Sequence, residues 1–174
     1  MSESIQEIKG KLQAAQVSEL EALIHRYEQD ERVSVQKMLD SAHKRIAAYE
    51  KELLRIDKLK EYERRYTEYT YICGIDEVGR GPLAGPVVAG AVIFPPECDI
   101  LYINDSKQLS EKKREELYDV IMEKAVACAV GYATPERIDE INILQATYEA
   151  MRDAINSLTV RPRLLLNDAV TIPK

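Results

Sequence analysis

The residues with the most chemistry to offer are Asp76 and Glu77, followed closely by Gly79-Arg80-Gly81. Two carboxylates a few ångströms apart near a protein surface repel by roughly 4 kcal/mol at an effective dielectric of 20. Either one keeps a proton or a cation sits between them. A hard divalent ion with oxygen ligands suits such a pair. The plainer account is a solvated acidic turn, since Asp-Glu pairs are common. Glycines beside Arg80 let the backbone approach a ligand closely, and a guanidinium can hold a phosphate by two parallel hydrogen bonds. The plainer account there is a hairpin turn with a surface arginine. A dinucleotide loop is excluded. Gly79, Gly81 and Gly85 give the wrong spacing, and Pro82 and Pro86 forbid the helix that such a loop must open. No Gly-Lys-Ser/Thr element exists, so a P-loop is excluded too.

These groups need elements to position them. Residues 71–75 read as a buried strand that ends in the acids, and residues 87–94, rich in valine and small residues, read as a second. Adjacent side chains of a regular strand point to opposite faces, so Asp76 and Glu77 can share a site only if the strand ends or bends there. Ser110 caps a helix carrying Leu117, Val120 and Ile121, and residues 126–132 form a third strand. Thr134-Pro135-Glu136 starts a helix, and Asn142, with Gln145 three later, starts another. Leu164-Leu165-Leu166 is a wholly apolar strand, expected at a sheet centre covered on both faces. It ends in Asn167-Asp168. If this strand lies parallel to the first, Asp168 and Asp76 meet at the carboxyl edge of the sheet, where ligands of open α/β sheets bind. A turn residue is the plainer reading of Asp168. The order strand, strand, helix, strand, helix, helix, strand predicts an α/β fold with a mixed sheet and flanking helices.

Residues 1–69 differ in texture. The first 73 residues hold no proline and one glycine, Gly10, which favours helix. Ile5, Ile8 and Leu12 share a helical face. Ser18 with Glu21 has the form of a capping box, opening a second helix with Leu20, Leu23, Ile24 and Tyr27. Val35, Leu39, Ala42, Ile46, Tyr49, Leu53 and Ile56 step by four and three, a heptad seam in a helix expected over 33–66 and roughly 50 Å long. Residues 1–31 carry seven acids and three bases, and residues 37–65 carry nine bases and six acids. Two readings stay open: a solvated face of mixed charge, or a helical module that touches a phosphate backbone. The chain is therefore divided into a helical extension, 1–69, a possible substrate-binding module, and an α/β domain, 70–174.

Bulk properties narrow the classes. A formal net charge of -6 argues against a general coat for nucleic acid. Acids in such a protein need a specific task, and metal binding is the obvious one. No apolar run approaches the ~20 residues of a membrane span, and no secretory leader is visible. Cys73, Cys98 and Cys128 form no CxxC pair, so reduced thiols and a cytoplasmic location are expected. His25 and His43 lack zinc-ligand spacing.

The run Gly74 to Pro86 closely resembles the signature of type 2 ribonuclease H. Asn104 to Ser110, then Arg137 to Thr147, resemble that family's next two blocks in the same order. The resemblance spans 71–174, and residues 1–70 resemble the helical extension of some bacterial members. It implies a ribonuclease H-like fold and an endonuclease that hydrolyses the RNA strand of RNA–DNA hybrids to 5'-phosphomonoesters. It also implies cutting 5' to single ribonucleotides in duplex DNA, with a place in DNA replication and repair. It implies four carboxylates around two Mn2+ or Mg2+ ions. Asp76 and Glu77 match the first two. Asp168 matches the third, in an Asp-x-x-x-x-Pro slot ending at Pro173, with Ala169 where the family usually has glycine. Gly79, Arg80 and Gly81 match the loop that reads the ribonucleotide 2'-hydroxyl. Lys107 and Asn142 match positions facing the nucleic acid.

The family's fourth aspartate and its stacking tyrosine lie further along than Lys174. The expectation is thus a chain cut short, with a metal site one ligand down and impaired activity. A monomer is expected. Two rivals remain: a nucleic-acid-binding fragment that does not cut, and a helical interaction protein working through residues 33–66.

Overall fold

The structure, a computed structural model, describes residues 3–81, 85–168 and 172. It divides into two compact units, residues 1–59 and 60–174.

The first unit is all helix: α1 (Ile5–Ala14), α2 (Val17–Tyr27) and α3 (Val33–Leu59). Ser4 and Glu7 form a capping box at the start of α1. The Glu7 amide donates to Ser4 Oγ at 3.2 Å, and the Ser4 amide donates to the Glu7 carboxylate at 2.8 Å. At α2 the expected Ser18 start is displaced. The Gln16 amide donates to the Glu19 carboxylate at 2.7 Å, so the terminal donor is satisfied two residues earlier and Ser18 falls inside the helix. Ile8, Leu12, Leu20, Ile24 and Tyr27 bury against Val35, Leu39 and Ala42 of α3, with Ile46 partly buried beside them. The first half of the heptad seam is thus taken up within the chain by α1 and α2.

The long helix is shorter than expected. It ends at Leu59, and a five-residue helix α4 (Glu61–Arg65) follows. The break falls at Lys60, whose backbone leaves helical geometry and whose ammonium pairs with the Asp99 carboxylate.

The second unit is a four-stranded mixed sheet, ordered β3-β2-β1-β4. Strands β1 (Ile72–Val78), β2 (Val87–Ile93) and β3 (Ala127–Ala133) pair antiparallel in sequence, while β4 (Leu164–Asn167) pairs parallel with β1. The predicted α/β class with a mixed sheet is the observed one. The predicted central place for β4 is not: among the described residues it is an edge strand, and its four residues are half-buried. Apolar content alone could not distinguish a strand covered on both faces from an edge strand. Cys73, Ile75, Val87, Ala89, Ala91 and Ile93 form one sheet face, covered by Ala146, Ala150, Met151 and Ala154 of helix α6 (Pro135–Asn156). Burial pushes the Cys73 thiol up to about 11, as suits a core thiol rather than a nucleophile. All three cysteines are free. Helix α5 (Glu111–Lys124) starts at Ser110, whose hydroxyl accepts from the Lys113 amide at 3.3 Å.

Helix α6 is broken at Asn142, which has φ 70° and ψ 161°. The Asn142 carboxamide oxygen accepts from the amides of Leu144 at 3.1 Å and Gln145 at 3.2 Å, so it caps a second helical segment, as its place in the sequence predicts. That backbone region is nearly restricted to glycine and costs on the order of 1–3 kcal/mol. A clamp spans the break. Arg137 donates to both carboxylate oxygens of Glu149, at 2.9 and 2.6 Å, and to Glu140 at 2.8 Å. Twelve residues of straight helix would separate Arg137 and Glu149 by about 18 Å, so this contact requires the bend.

Two stability tests follow from this packing. A Cβ on Gly131 would lie 2.2 Å from the Ala150 carbonyl oxygen and 2.4 Å from the Ala154 nitrogen, both backbone atoms of α6. Gly131→Ala should lower stability by at least about 1–3 kcal/mol, read as a fall in the urea midpoint. An unchanged midpoint would show that β3 and α6 are not in such close contact. The hydrogen bonds from Arg137 hold the Glu149 carboxyl below its ordinary 4.5. A lowered carboxyl stabilises the fold above its unfolded pKa and stops doing so as pH falls through its folded pKa. The gap in melting temperature between wild type and Glu149→Gln should therefore be full above pH 4.5 and should close on acidification below it.

Candidate active site

Strand β1 carries the first two acids. It continues in register to Val78, with Asp76 opposite Gly90, Glu77 opposite Ala89 and Val78 opposite Val88. The strand therefore neither ends nor bends at the acids. By alternation Glu77 shares the α6-covered face with Cys73 and Ile75, and Asp76 belongs to the other face. Burial agrees: Asp76 is exposed and Glu77 half-buried. Asp76 accepts from the Glu77 amide at 2.9 Å. The Glu77 carboxylate faces the Arg80 guanidinium at 3.4 Å, long for a hydrogen bond and easily exchanged.

The third acid arrives by topology. Parallel pairing sets Gly74 beside Leu166 and Ile75 beside Asn167. The last pair is Ile75 beside Asn167, so Asp76 and Asp168 each follow directly on paired residues of neighbouring strands, and Asp168 is exposed just beyond the end of β4. The condition on which the acids could meet, a parallel β1–β4 pair, is thus the arrangement present. Residues 169–171, 173 and 174, which include Ala169 and Pro173 of the expected slot, lie outside the described residues.

The loop after β1 separates its two glycines by function. Gly79 has φ 93°, and a Cβ there would sit 2.3 Å from the Pro86 carbonyl oxygen. The chain's own return into β2 demands a glycine at that point. Gly81 has no atom within 4 Å of where its Cβ would be. Among the described residues nothing requires that glycine. Pro82, Leu83 and Ala84 lie outside the described residues.

Lys107 and Asn142 lie on elements other than β1 and β4. Lys107 is exposed in the 3-10 turn Ser106–Gln108. Asp105 caps that turn through the Lys107 amide at 2.9 Å, and Arg114 braces it through the carbonyls of Ser106 at 3.3 Å and Leu109 at 2.8 Å. Asn142 is exposed, with its carboxamide oxygen engaged in the helix cap. Among the described residues, no hydrogen bond or ion pair links either to Asp76, Glu77 or Asp168. Sequence reading missed the Arg80–Glu77 pair, although a three-residue spacing was a usable signal. It also missed the Arg137–Glu149 clamp, which no periodicity could reveal before the break at Asn142 was known.

The donor set suits hard divalent cations: three carboxylates near adjacent strand ends, with no thiolate or imidazole among them. Among the described residues, no three His, Cys, Asp or Glu side chains are gathered as a ready chelate.

Fold and acids together define an α/β protein whose mixed sheet presents carboxylates at neighbouring strand ends. Residues 73–174 match the family described as Ribonuclease HII, and residues 4–67 match the Ribonuclease HII N-terminal domain. The chain belongs to the ribonuclease HII family. It is 59% identical to the ribonuclease HII of Lachnoclostridium phytofermentans over 174 residues, which is 100% of this chain and 68% of that protein. It is 52% identical to that of Ligilactobacillus salivarius over 145 residues, 82% of this chain and 57% of that protein. The chain thus spans between 57% and 68% of the lengths of these two relatives. A solved structure described as ribonuclease H2 from Pyrococcus horikoshii matches with a TM-score of 0.46 and 30% identity, over 57% of this chain and 52% of that one.

The two loop glycines give a paired prediction. Gly79→Ala should lower the melting temperature, because backbone blocks its methyl group. Gly81→Ala should leave stability within about 1 kcal/mol, since surface changes away from such features usually do little. Equal losses in the two variants, measured by thermal melting, would show that the loop's glycines are both structural.

Proposed function

We propose that this chain provides most of the active site of an endonuclease that hydrolyses the RNA strand of RNA–DNA hybrids and cuts 5' to single ribonucleotides in duplex DNA. The observation that supports the reading is the parallel β1–β4 register, which pairs Ile75 with Asn167, the residues just before Asp76 and Asp168. Asp76, Glu77 and Asp168 are the residues to hold Mn2+ or Mg2+. When bound, two such ions supply an activated hydroxide and stabilise the departing oxygen. Water adds to phosphorus, and the bond to the upstream 3'-oxygen breaks. The products are a 3'-hydroxyl and a 5'-phosphate on the ribonucleotide.

The chain's own residues set up that reaction. Asp76 and Asp168 present exposed carboxylates at the sheet edge. Arg80 exchanges its weak contact with Glu77 for a substrate phosphate, which frees the glutamate for the metal site. The backbone around Gly81 approaches the ribose, whose 2'-hydroxyl separates RNA from DNA. Lys107 and Asn142 contact the nucleic acid further from the chemistry. Three carboxylates are assigned here, and we place a fourth outside these 174 residues. The 174-residue chain by itself is accordingly expected to cut weakly or not at all. We place the protein in the cytoplasm as a monomer, with free thiols. No helix among the described residues is long and apolar enough to cross a membrane.

The test is cleavage, with Mn2+, of a duplex carrying one ribonucleotide. It compares the 174-residue chain with a form extended to the length of its relatives. The extended form should cut 5' to the ribonucleotide, and Asp76→Asn should reduce cutting at least about 100-fold, beyond the usual cost of disturbing groups around a metal ligand. Equal cutting of an all-DNA duplex would remove the specificity assigned to the Gly81 backbone. Undiminished cutting by Asp76→Asn would remove the metal role, and tight binding without cutting by the extended form would favour a binding module.

A further inference from the structure

Helix α6 is two arms that meet at Asn142. The second arm lies on the sheet, with Ala146, Ala150, Met151 and Ala154 buried and its backbone close to Gly131 of β3. The first arm follows directly on β3, and at its start the Thr134 hydroxyl accepts from the Arg137 amide at 3.3 Å. Ile138 and Ile141 of that arm rest partly buried against the same core. The bend between the arms is strained. A residue at φ 70° and ψ 161° relaxes unless its surroundings hold it there, and the nearest alternative is one straight helix through Asn142.

Two side-chain contacts belong to the bent form. One is the Asn142 cap on the amides of Leu144 and Gln145, which a straight helix would commit to its own carbonyls. The other is the fork of Arg137 on both oxygens of Glu149, at 2.9 and 2.6 Å. A guanidinium is planar, so two parallel hydrogen bonds fix the direction of the first arm as well as its distance. The contact from Arg137 to Glu140 at 2.8 Å holds the fork from within the first arm. The Arg137 and Glu149 side chains are 43% and 40% exposed, and such a pair adds little to global stability. Choosing between two backbone states of one helix demands far less than holding a fold. What the bend presents is the exposed side chain of Asn142. Its oxygen is held by two amides, and a carboxamide is planar, so the same bonds set the direction of its NH2 group. Among the described residues that NH2 group has no hydrogen-bond partner. Uncharged N–H donors of this kind suit the oxygens of a phosphate or a sugar.

We infer that Arg137 and Glu149 are positioning residues for nucleic-acid binding: their pair holds the α6 bend and so presents the Asn142 NH2 group as a fixed donor to a phosphate or sugar oxygen. The contact made by Asn142 rests on the proposed function. The dependence of Asn142 on the pair rests on the geometry of α6 alone. Neither Arg137 nor Glu149 needs to touch the nucleic acid.

The test uses the whole 174-residue chain in EDTA, with two readouts. The first is the Asn142 side-chain NH2 signal in a nitrogen–proton NMR spectrum, assigned by its loss in Asn142→Asp. Arg137→Gln and Glu149→Gln should each shift or broaden that signal. Arg137→Glu/Glu149→Arg, which restores the pair in reverse, should return it toward its wild-type position. The second readout is affinity for a labelled RNA–DNA hybrid, by fluorescence anisotropy. Loss of one fixed hydrogen bond should weaken binding roughly 3- to 10-fold in both Arg137→Gln and Glu149→Gln, with recovery in the reversed pair. General electrostatics predict opposite signs for these two variants, since one removes a positive charge and the other a negative one. Arg137→Lys, which keeps the charge and loses the fork, should behave like Arg137→Gln. Asn142→Asp keeps a capping oxygen and removes the donors, so it should weaken binding by itself. Arg137→Gln added to it should cost nothing more, whereas an arginine with a merely structural role would add its own loss. An unmoved signal, unchanged affinity in the single variants, additive losses, no recovery in the reversed pair, or no hybrid binding by the wild type would overturn the inference. The assay contains no metal and scores no cleavage, so its outcome is separate from that of the nuclease reading. Cutting by the extended form with Asn142 indifferent to the pair would sink the positioning role alone, and pair-dependent binding without cutting would sink the nuclease alone.

Discussion

Parallel hydrogen bonding between β1 and β4 is the constraint on which the site depends. Asp76 and Asp168 are separated by most of the second unit in sequence, and no local rule brings them together. Only a strand entering beside β1 in the same direction makes their carboxyl ends coincide. The antiparallel neighbour β2 serves the opposite purpose. By continuing its ladder past Asp76 and Glu77 to Val78, it holds β1 extended and keeps the two acids on opposite faces. Asp76 and Glu77 are thus turned to opposite faces, and Arg80 meets Glu77.

Close approach is the second recurring element. Gly131 lets β3 pass against the backbone of α6, and Gly79 lets the loop after β1 return over Pro86. These glycines are explained by the chain itself. Gly81 meets no atom of the described residues within 4 Å of where its Cβ would be. The break at Asn142 belongs to the same economy of space. It redirects α6 so that one segment covers the sheet while Arg137, on the other, reaches back to Glu149. The strained residue is capped by its own side chain, which explains why an asparagine can occupy a conformation most residues avoid.

The helical unit has a separate logic of charge. Its core draws on α1, α2 and the first half of the α3 seam. Glu3 gathers Lys11, Arg26 and Tyr27 around one carboxylate, and the Lys11 hydrogen bond leads in holding that carboxyl below its usual range. Arg45 reaches the carbonyls of Leu12 and Ala15 at the end of α1. Cations that serve the fold therefore find partners within it.

The amino-acid sequence alone determined the elements: which segments are helix or strand, the mixed α/β class, and the helix starts at Ser110, Thr134 and Asn142. Those features rest on local causes, namely capping hydrogen bonds, alternation and helical periodicity, which a window of a few residues contains. It also carried the family resemblance through the run from Gly74 to Pro86. It misjudged what depends on distant partners. The long helix stops at Leu59, β4 is an edge strand among the described residues, and α2 starts at a cap two residues early. Strand direction, the Arg137–Glu149 clamp and the different duties of Gly79 and Gly81 were decided only by tertiary structure. Each is a relation between segments far apart in the chain, and the energy of such a relation appears only when those segments touch.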